Sequence, residues 1–390
     1  MNHSFEEKIN RRGTNCYKWD AMEKNFGRDD LIAMWVADMD IPTPPFVKNA
    51  LRRKLDEQVM GYQRTDPDWA PAVCRWQHRR HRWDVTPEML TFVPGVVRGQ
   101  AYSVLCFTNP GDKVLVMSPV YHPFFLVTEG FNREVVFHSL TLRDGHYHVD
   151  FDRLREDIRG CKMMIFCNPH NPGGRVWTRE ELEQIARIAC EENVLVFSDE
   201  IHADLTLAGY THIPFATVSA DAASRTITFS APSKAFNMPG IGSSYAIIVN
   251  PELNEKFQSF MEHGEFSEGN TLSYVGTIAA YNEGEEWLQD LCRFIDSNID
   301  FTAGYLERNM PQVSMIRPQA SYLIFLDFRK LGLEQEELVK LMIDKAGVAM
   351  NSGTMFGPEG KGFMRLNAGC TRAQLSEALE RIAAAVNSLS

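Results

Sequence analysis

The chain has 390 residues, 44% of them hydrophobic, enough for one large domain and a smaller one. A formal net charge of −11 argues against a general nucleic-acid or anionic-membrane surface and leaves room for a local basic pocket. Eight scattered cysteines without a CxxC pair read as reduced thiols, the start lacks the apolar core of a signal peptide, and no apolar run approaches a membrane span; a soluble, cytoplasmic protein is expected.

Residues 1–45 read as irregular, with aromatic and proline punctuation, and include Ala37-Asp38-Met39-Asp40. A helix over about 45–58 leads into Gly61-Tyr62-Gln63-Arg64. From Leu90 onward, short β-rich runs (90–93, 113–117, 134–137, 162–166, 194–197, 226–229 and 245–249) alternate with helical segments. Several runs are apolar throughout, as strands of a mostly parallel sheet covered on both faces should be. The helix over 178–192 opens with a capping box, Thr178-Arg179-Glu180-Glu181. This alternation predicts a layered α/β domain with its site at the carboxyl ends of the strands. After about residue 285 the pattern becomes a long helix (287–309), a strand (321–327), a helix (334–346), a strand (362–367) and a final helix from Arg372. The expected organisation is an N-terminal segment, 1–45, packing with a small α+β domain, 286–390, around a large domain, 46–285.

Polar groups gather at the predicted strand ends. Lys234 stands in a loop without acidic neighbours, 35 positions after Asp199, which ends the run 194–197. Alone, Lys234 reads as a solvated surface lysine, and a helix N-cap is the alternative reading of Asp199. Together they suit a cofactor that needs an imine-forming amine and a buried anion for a pyridinium proton, namely pyridoxal 5′-phosphate (PLP). In Asn168-Pro169-His170-Asn171-Pro172-Gly173-Gly174 the prolines and glycines can hold Asn171 rigidly toward a phenolate oxygen, or simply make a turn between strand and helix. Gly95, Val96 and Val97, at a strand-to-helix junction, offer backbone N–H groups to a phosphate. Tyr121 is either core or a ring that stacks on a flat heterocycle. Arg365, central in an apolar run, needs either an internal salt bridge or the carboxylate of an amino-acid substrate.

In this order and at these spacings, Asn-Pro-x-Asn-Pro-x-Gly, Ser198-Asp199-Glu200, Ser233-Lys234 and Arg365-Leu366 resemble fold-type-I PLP enzymes of the class I/II aminotransferase superfamily. The resemblance is greatest to the cystathionine β-lyase (C–S lyase) group, which includes a regulator of maltose genes. It rests on Ala37-Asp38-Met39-Asp40, Gly61-Tyr62, Ser198-Asp199-Glu200-Ile201-His202, Ser233-Lys234-Ala235-Phe236-Asn237 and Phe363-Met364-Arg365-Leu366-Asn367-Ala368-Gly369-Cys370.

The resemblance implies that Lys234 forms the Schiff base, Asp199 binds the pyridine nitrogen, Asn171 meets O3′ and Tyr121 stacks on the ring. Arg365, with Ala37, would bind the substrate, and Tyr62 would reach the phosphate of a neighbouring subunit in a homodimer. There are departures from the aminotransferase pattern. His202 replaces a tyrosine, Gly242 stands where an arginine often holds the phosphate, and Ala231 replaces a hydroxyl. His202 therefore joins the cofactor site, and the phosphate is expected to lean on Ser230, Ser233, backbone amides and Tyr62. The implied reaction is β-elimination from L-cystathionine or a related sulfur amino acid, giving a thiol, pyruvate and ammonia. An aminotransferase, and a regulator acting through a protein partner, are the alternatives; direct DNA binding is not expected.

Overall fold

Parallel sheets covered on both faces need strands apolar at successive positions, and β-rich runs here meet that condition. A computed structural model describes residues 3–266 and 269–389. Its strands in chain order are β1 (Ile32–Ala33), β2 (Leu90–Val93), β3 (Lys113–Ser118), β4 (Glu134–Ser139), β5 (Thr141–Arg143), β6 (His146–His148), β7 (Cys161–Cys167) and β8 (Leu195–Asp199). They continue as β9 (Thr226–Ser230), β10 (Ser244–Ile247), β11 (Ser314–Ile316), β12 (Leu323–Asp327), β13 (Val348–Ala349), β14 (Asn351–Ser352) and β15 (Phe363–Asn367).

The large sheet has seven strands in the order β2-β10-β9-β8-β7-β3-β4, with β10 antiparallel to both its neighbours and β3, β4, β7, β8 and β9 paired in parallel. Alternate residues feed two cores. Leu115, Met117, Met164, Phe166 and Val196 pack on one face under the helix Arg179–Glu191. Val114, Val116, Met163, Ile165, Phe197 and Phe229 pack on the other, under the helix Val96–Phe107. With both faces closed, the strand ends are the places left for polar side chains. The expected capping box is present, with Thr178 and Glu181 bonded reciprocally.

A second, antiparallel sheet runs β11-β12-β15-β14, and Arg365 sits at its centre, opposite Phe325 on one side and Asn351 on the other. The N-terminal segment is more ordered than its sequence suggests. It forms short helices, Tyr17–Asp20 and Met22–Phe26, and its β1 pairs in parallel with β13. The helix expected over 334–346 is α-helical only over Gln335–Lys340. It then widens to a π-helical turn, Leu341–Ala346, which buries Leu341, Met342 and Ala346 and is stopped by Gly347 in the left-handed region. Lys234, expected in a loop, lies on a short helix, Pro232–Ala235, because Pro232 presets the first helical φ after the extended Ala231. Among the described residues no helix is long and apolar enough to cross a membrane.

The helix Val96–Phe107 approaches the sheet closely because position 99 has no side chain. A Cβ on Gly99 would lie 2.1 Å from a ring carbon of Phe229 on β9. Alanine there gains about 1 kcal/mol of helix propensity, so valine is the sharper probe. Gly99→Val should lower the unfolding free energy by about 1–3 kcal/mol through overpacking, measured by urea denaturation; parental stability would contradict this packing.

Candidate active site

The carboxyl ends of the parallel strands open into a cavity of about 270 Å³. It brings together Ala37, Gly95, Val96, Val97, Tyr121, Asn171, Asp199, His202, Ser233 and Lys234, residues drawn from six separated stretches of sequence. Larger clefts elsewhere, of about 500 and 770 Å³, gather no comparable set of groups.

Asp199 ends β8 and is 5% exposed. Its Oδ1 accepts a hydrogen bond from Ile201 N at 3.0 Å, and no cation pairs with it among the described residues. Burial pushes its pKa up to about 7, against the pull of the Ile201 N–H and of Lys234. A carboxylate in this condition gains free energy by meeting a positive partner. Lys234 Nζ donates to the Ala37 carbonyl. Its pKa is pushed down to about 8, first by burial and then by the charge of Arg365, with Asp38 and Asp199 pulling the other way.

Arg365 is 4% exposed, and its described partners are neutral oxygens: Asn171 Oδ1 at 3.2 Å, Trp35 O at 3.1 Å and Asn351 Oδ1 at 2.8 Å. Its Nε has no partner among the described residues, its guanidinium lies 4.8 Å from the centre of the Phe356 ring, and burial lowers its pKa to about 10. Of the two sequence readings, the internal salt bridge is therefore absent among the described residues. Arg365 stands behind Asn171 rather than on the cavity wall. Because Asn171 Oδ1 accepts from Arg365, its Nδ2 is left as a donor on that wall. Tyr121, whose own N–H bonds the Asn171 carbonyl at 3.1 Å, is half-buried, and desolvation raises the pKa of its phenol.

His202 is buried, its Nδ1 unpartnered, and burial with the charges of Lys234 and Arg365 pushes its pKa down to about 3. It is a neutral imidazole. Gly95 N already donates to Ser244 Oγ at 2.9 Å, so among the described residues the free first-turn donors of the helix are those of Val96, Val97 and Arg98. Ser233 lines the cavity, whereas Ser230 is buried at the end of β9, opposite Tyr245, away from the lining. Tyr62 is fully exposed, on a separate cleft with Met60, Gly240 and Asn270.

Sequence reasoning did not pair Asn351 with Arg365 and gave no role of their own to Tyr322 and Asn237. Asn351 meets Arg365 only through the pairing of β14 with β15. Tyr322 donates to the Ala37 carbonyl at 2.9 Å, and Asn237 holds the backbone of Met39 and Ile41. Asn237 had a signal, since it lies three residues after Lys234; Tyr322 had none.

A model of the aminotransferase class I and II family matches residues 29–382. Cystathionine beta-lyase PatB of Bacillus subtilis is 41% identical over 386 residues, which is 98% of this chain and 100% of that protein. Cystalysin from Treponema denticola, whose crystal structure contains pyridoxal 5′-phosphate, superposes with a TM-score of 0.96 at 34% identity, covering 100% of both chains. A PLP-bound C–S lyase from Staphylococcus hominis gives 0.93 at 34% identity, covering 99% of this chain and 98% of that one. The chain belongs to the class I and II aminotransferase family, an α/β fold whose members depend on PLP. Within that family it is similar to C–S lyases, and also to a PLP-bound putative aminotransferase from Clostridium difficile, which superposes with a TM-score of 0.97 at 38% identity, covering 99% of this chain and 100% of that one.

The lowered pKa of Lys234 has a direct consequence. The neutral amine is the nucleophile, so its reaction with an aromatic aldehyde in the cofactor-free chain should rise with pH through a midpoint near 8, not above 10. Borohydride trapping of salicylaldehyde, located by mass spectrometry, measures this; a midpoint above 10 would show that Lys234 is not desolvated.

Proposed function

We propose that the protein is a PLP-dependent carbon–sulfur β-lyase, cleaving L-cystathionine or a related sulfur amino acid to a thiol, pyruvate and ammonia. The observation that carries this reading is one cavity joining an amine of lowered proton affinity to a buried carboxylate without a cation. It occurs in a chain similar along its length to a cystathionine β-lyase. Residues 46–285 would hold the cofactor, with 1–45 and 286–390 closing over the substrate.

The donor set fits PLP. Asp199, uncompensated as it stands, would keep a ring nitrogen protonated. The Asn171 Nδ2 would donate to the phenolic oxygen, Tyr121 would cover the ring face, and neutral His202 would add no competing charge. Val96 and Val97 N–H with Ser233 would meet the phosphate. When bound, PLP supplies an aldehyde for amine exchange and a protonated ring that accepts the electron pair left at the substrate Cα.

The chain's own part is to hold and move protons. Arg365, behind Asn171, is a guanidinium now held by neutral oxygens, and a substrate carboxylate reaching it past Ala37 and Asn171 on the cavity wall would supply the missing counter-charge. Lys234 Nζ would be the base that takes the Cα proton. A pKa near 8 leaves a useful neutral fraction at neutral pH. Departure of the Cβ thiolate, which takes up a proton to become the thiol, would leave aminoacrylate, and water hydrolyses that once released to pyruvate and ammonia.

We also propose a homodimer in which Tyr62 reaches the neighbouring subunit's phosphate. Tyr62 sits in an exposed apolar stretch with Val59 and Met60 that a second copy would cover. Eight free cysteines support a reducing, cytoplasmic location.

The deciding experiment supplies cystathionine without any 2-oxo acid. Sustained formation of pyruvate matching the thiol released supports the lyase; a single half-turnover that resumes only on adding an oxo acid would make it an aminotransferase. Lys234→Ala should abolish turnover and the visible band of lysine-bound cofactor. Retained turnover would sink the assignment of Lys234. Arg365→Lys should raise KM for the amino acid about tenfold or more while leaving that band in place, because lysine cannot reproduce a two-pronged carboxylate contact.

A further inference from the structure

The PLP reading above leaves one charge unaccounted for, and this inference rests on that reading. A phosphate monoester carries nearly two negative charges at neutral pH. The arginine that the aminotransferase pattern places eight positions after the lysine is here Gly242, at φ +69°.

A Cβ on Gly242 would lie 3.5 Å from the Pro94 carbonyl oxygen. Arg98 Nη1 donates to that same oxygen at 3.0 Å. The Arg98 guanidinium thus reaches, from the helix side, the neighbourhood from which a side chain at 242 would start. Arg98 lines the cavity next to Val96 and Val97, and the other basic side chain of the lining is Lys234.

Its position is unfavourable without an anion. Arg98 is the third residue of the helix Val96–Phe107, whose first turn has no acidic residue, so its charge opposes the helix dipole. Its side chain is exposed, and its described partner is a backbone carbonyl, not a carboxylate. Beside Gly242, Ser243 is 2% exposed with its hydroxyl unpartnered. A phosphate at this junction turns both the dipole and the guanidinium into attractions.

We propose that Arg98 is the cation that binds the cofactor phosphate, supplying across the strand–helix junction the charge that position 242 lacks. Lys234 then contributes the covalent contact, and Arg98 the distinction between phosphorylated and unphosphorylated cofactor.

The test titrates the full-length, cofactor-free chain with PLP and, separately, with pyridoxal, reading the dissociation constant from the visible band. Arg98→Ala should weaken PLP about tenfold or more, as expected for loss of a charge-assisted contact, while changing pyridoxal by less than about twofold. Arg98→Lys should keep most of the preference for PLP. Unchanged PLP affinity in Arg98→Ala, or an equal loss for both aldehydes, overturns the assignment while leaving the cofactor reading intact. If the parental chain forms no visible band with either aldehyde, the cofactor reading itself fails, and Arg98 falls with it.

Discussion

Desolvation of the charged groups around Lys234 is the constraint on which the rest of the structure depends. A guanidinium 4% exposed at the centre of a strand must find oxygen acceptors or lose several kcal/mol of solvation. Arg365 finds them on three separate parts of the chain: Asn171 after β7, Asn351 on β14 and the carbonyl of Trp35. One side chain therefore joins the large sheet, the small sheet and the N-terminal segment. Because its partners are neutral, its field is not cancelled, and it depresses the proton affinity of Lys234 and of His202. Packing and reactivity here have the same physical origin.

The segment from Trp35 to Ile41 is the second consequence. It lacks regular structure, yet nearly every carbonyl is engaged. Asn367 Nδ2 bonds Val36 O at 2.6 Å and Asp38 O at 2.7 Å, while Asn237 Nδ2 bonds Met39 O at 2.8 Å and Ile41 O at 2.6 Å. Beneath it, Lys18, 1% exposed, pairs with Asp40 at 2.9 Å, and Arg11 pairs with both Asp38 and Asp40 at 2.7 Å. Burial alone would raise the Asp40 pKa, but Lys18 and the hydrogen bonds of Trp19 and Gln374 outweigh it and keep the carboxylate ionised. This acid–base cluster is structural. It fixes the carbonyl of Ala37, which accepts from both Tyr322 and Lys234.

A second buried ionic system lies behind Asp199. Glu200 accepts from Ser198 Oγ and Phe215 N, each at 2.9 Å, and lies 2.7 Å from His212 Nε2. Asp204 is held by Trp76 Nε1 and by His81. These bonds stiffen the turn that follows β8. The adjacent acids thus take opposite roles: Glu200 is consumed by structure, whereas Asp199, on the cavity wall, has one oxygen without a partner among the described residues.

Much of this was legible in the sequence. Apolar residues at successive positions in the runs around Val114, Met163 and Val196 dictated a sheet closed on both faces, and that pattern placed Asn171, Asp199 and Lys234 at or just beyond strand ends. The chemistry of those residues, taken in order, was enough to indicate the cofactor class. What tertiary structure decided was the state of each group, because that depends on neighbours remote in the chain. Only the fold shows that Arg365 meets amides and a carbonyl instead of a carboxylate, that Gly95 N is spent on Ser244, and that Arg98 leans on the carbonyl facing Gly242. Residue identity specifies which charges a chain can carry. Burial and partners, which exist only once the chain has folded, specify which of those charges are left uncompensated for a ligand.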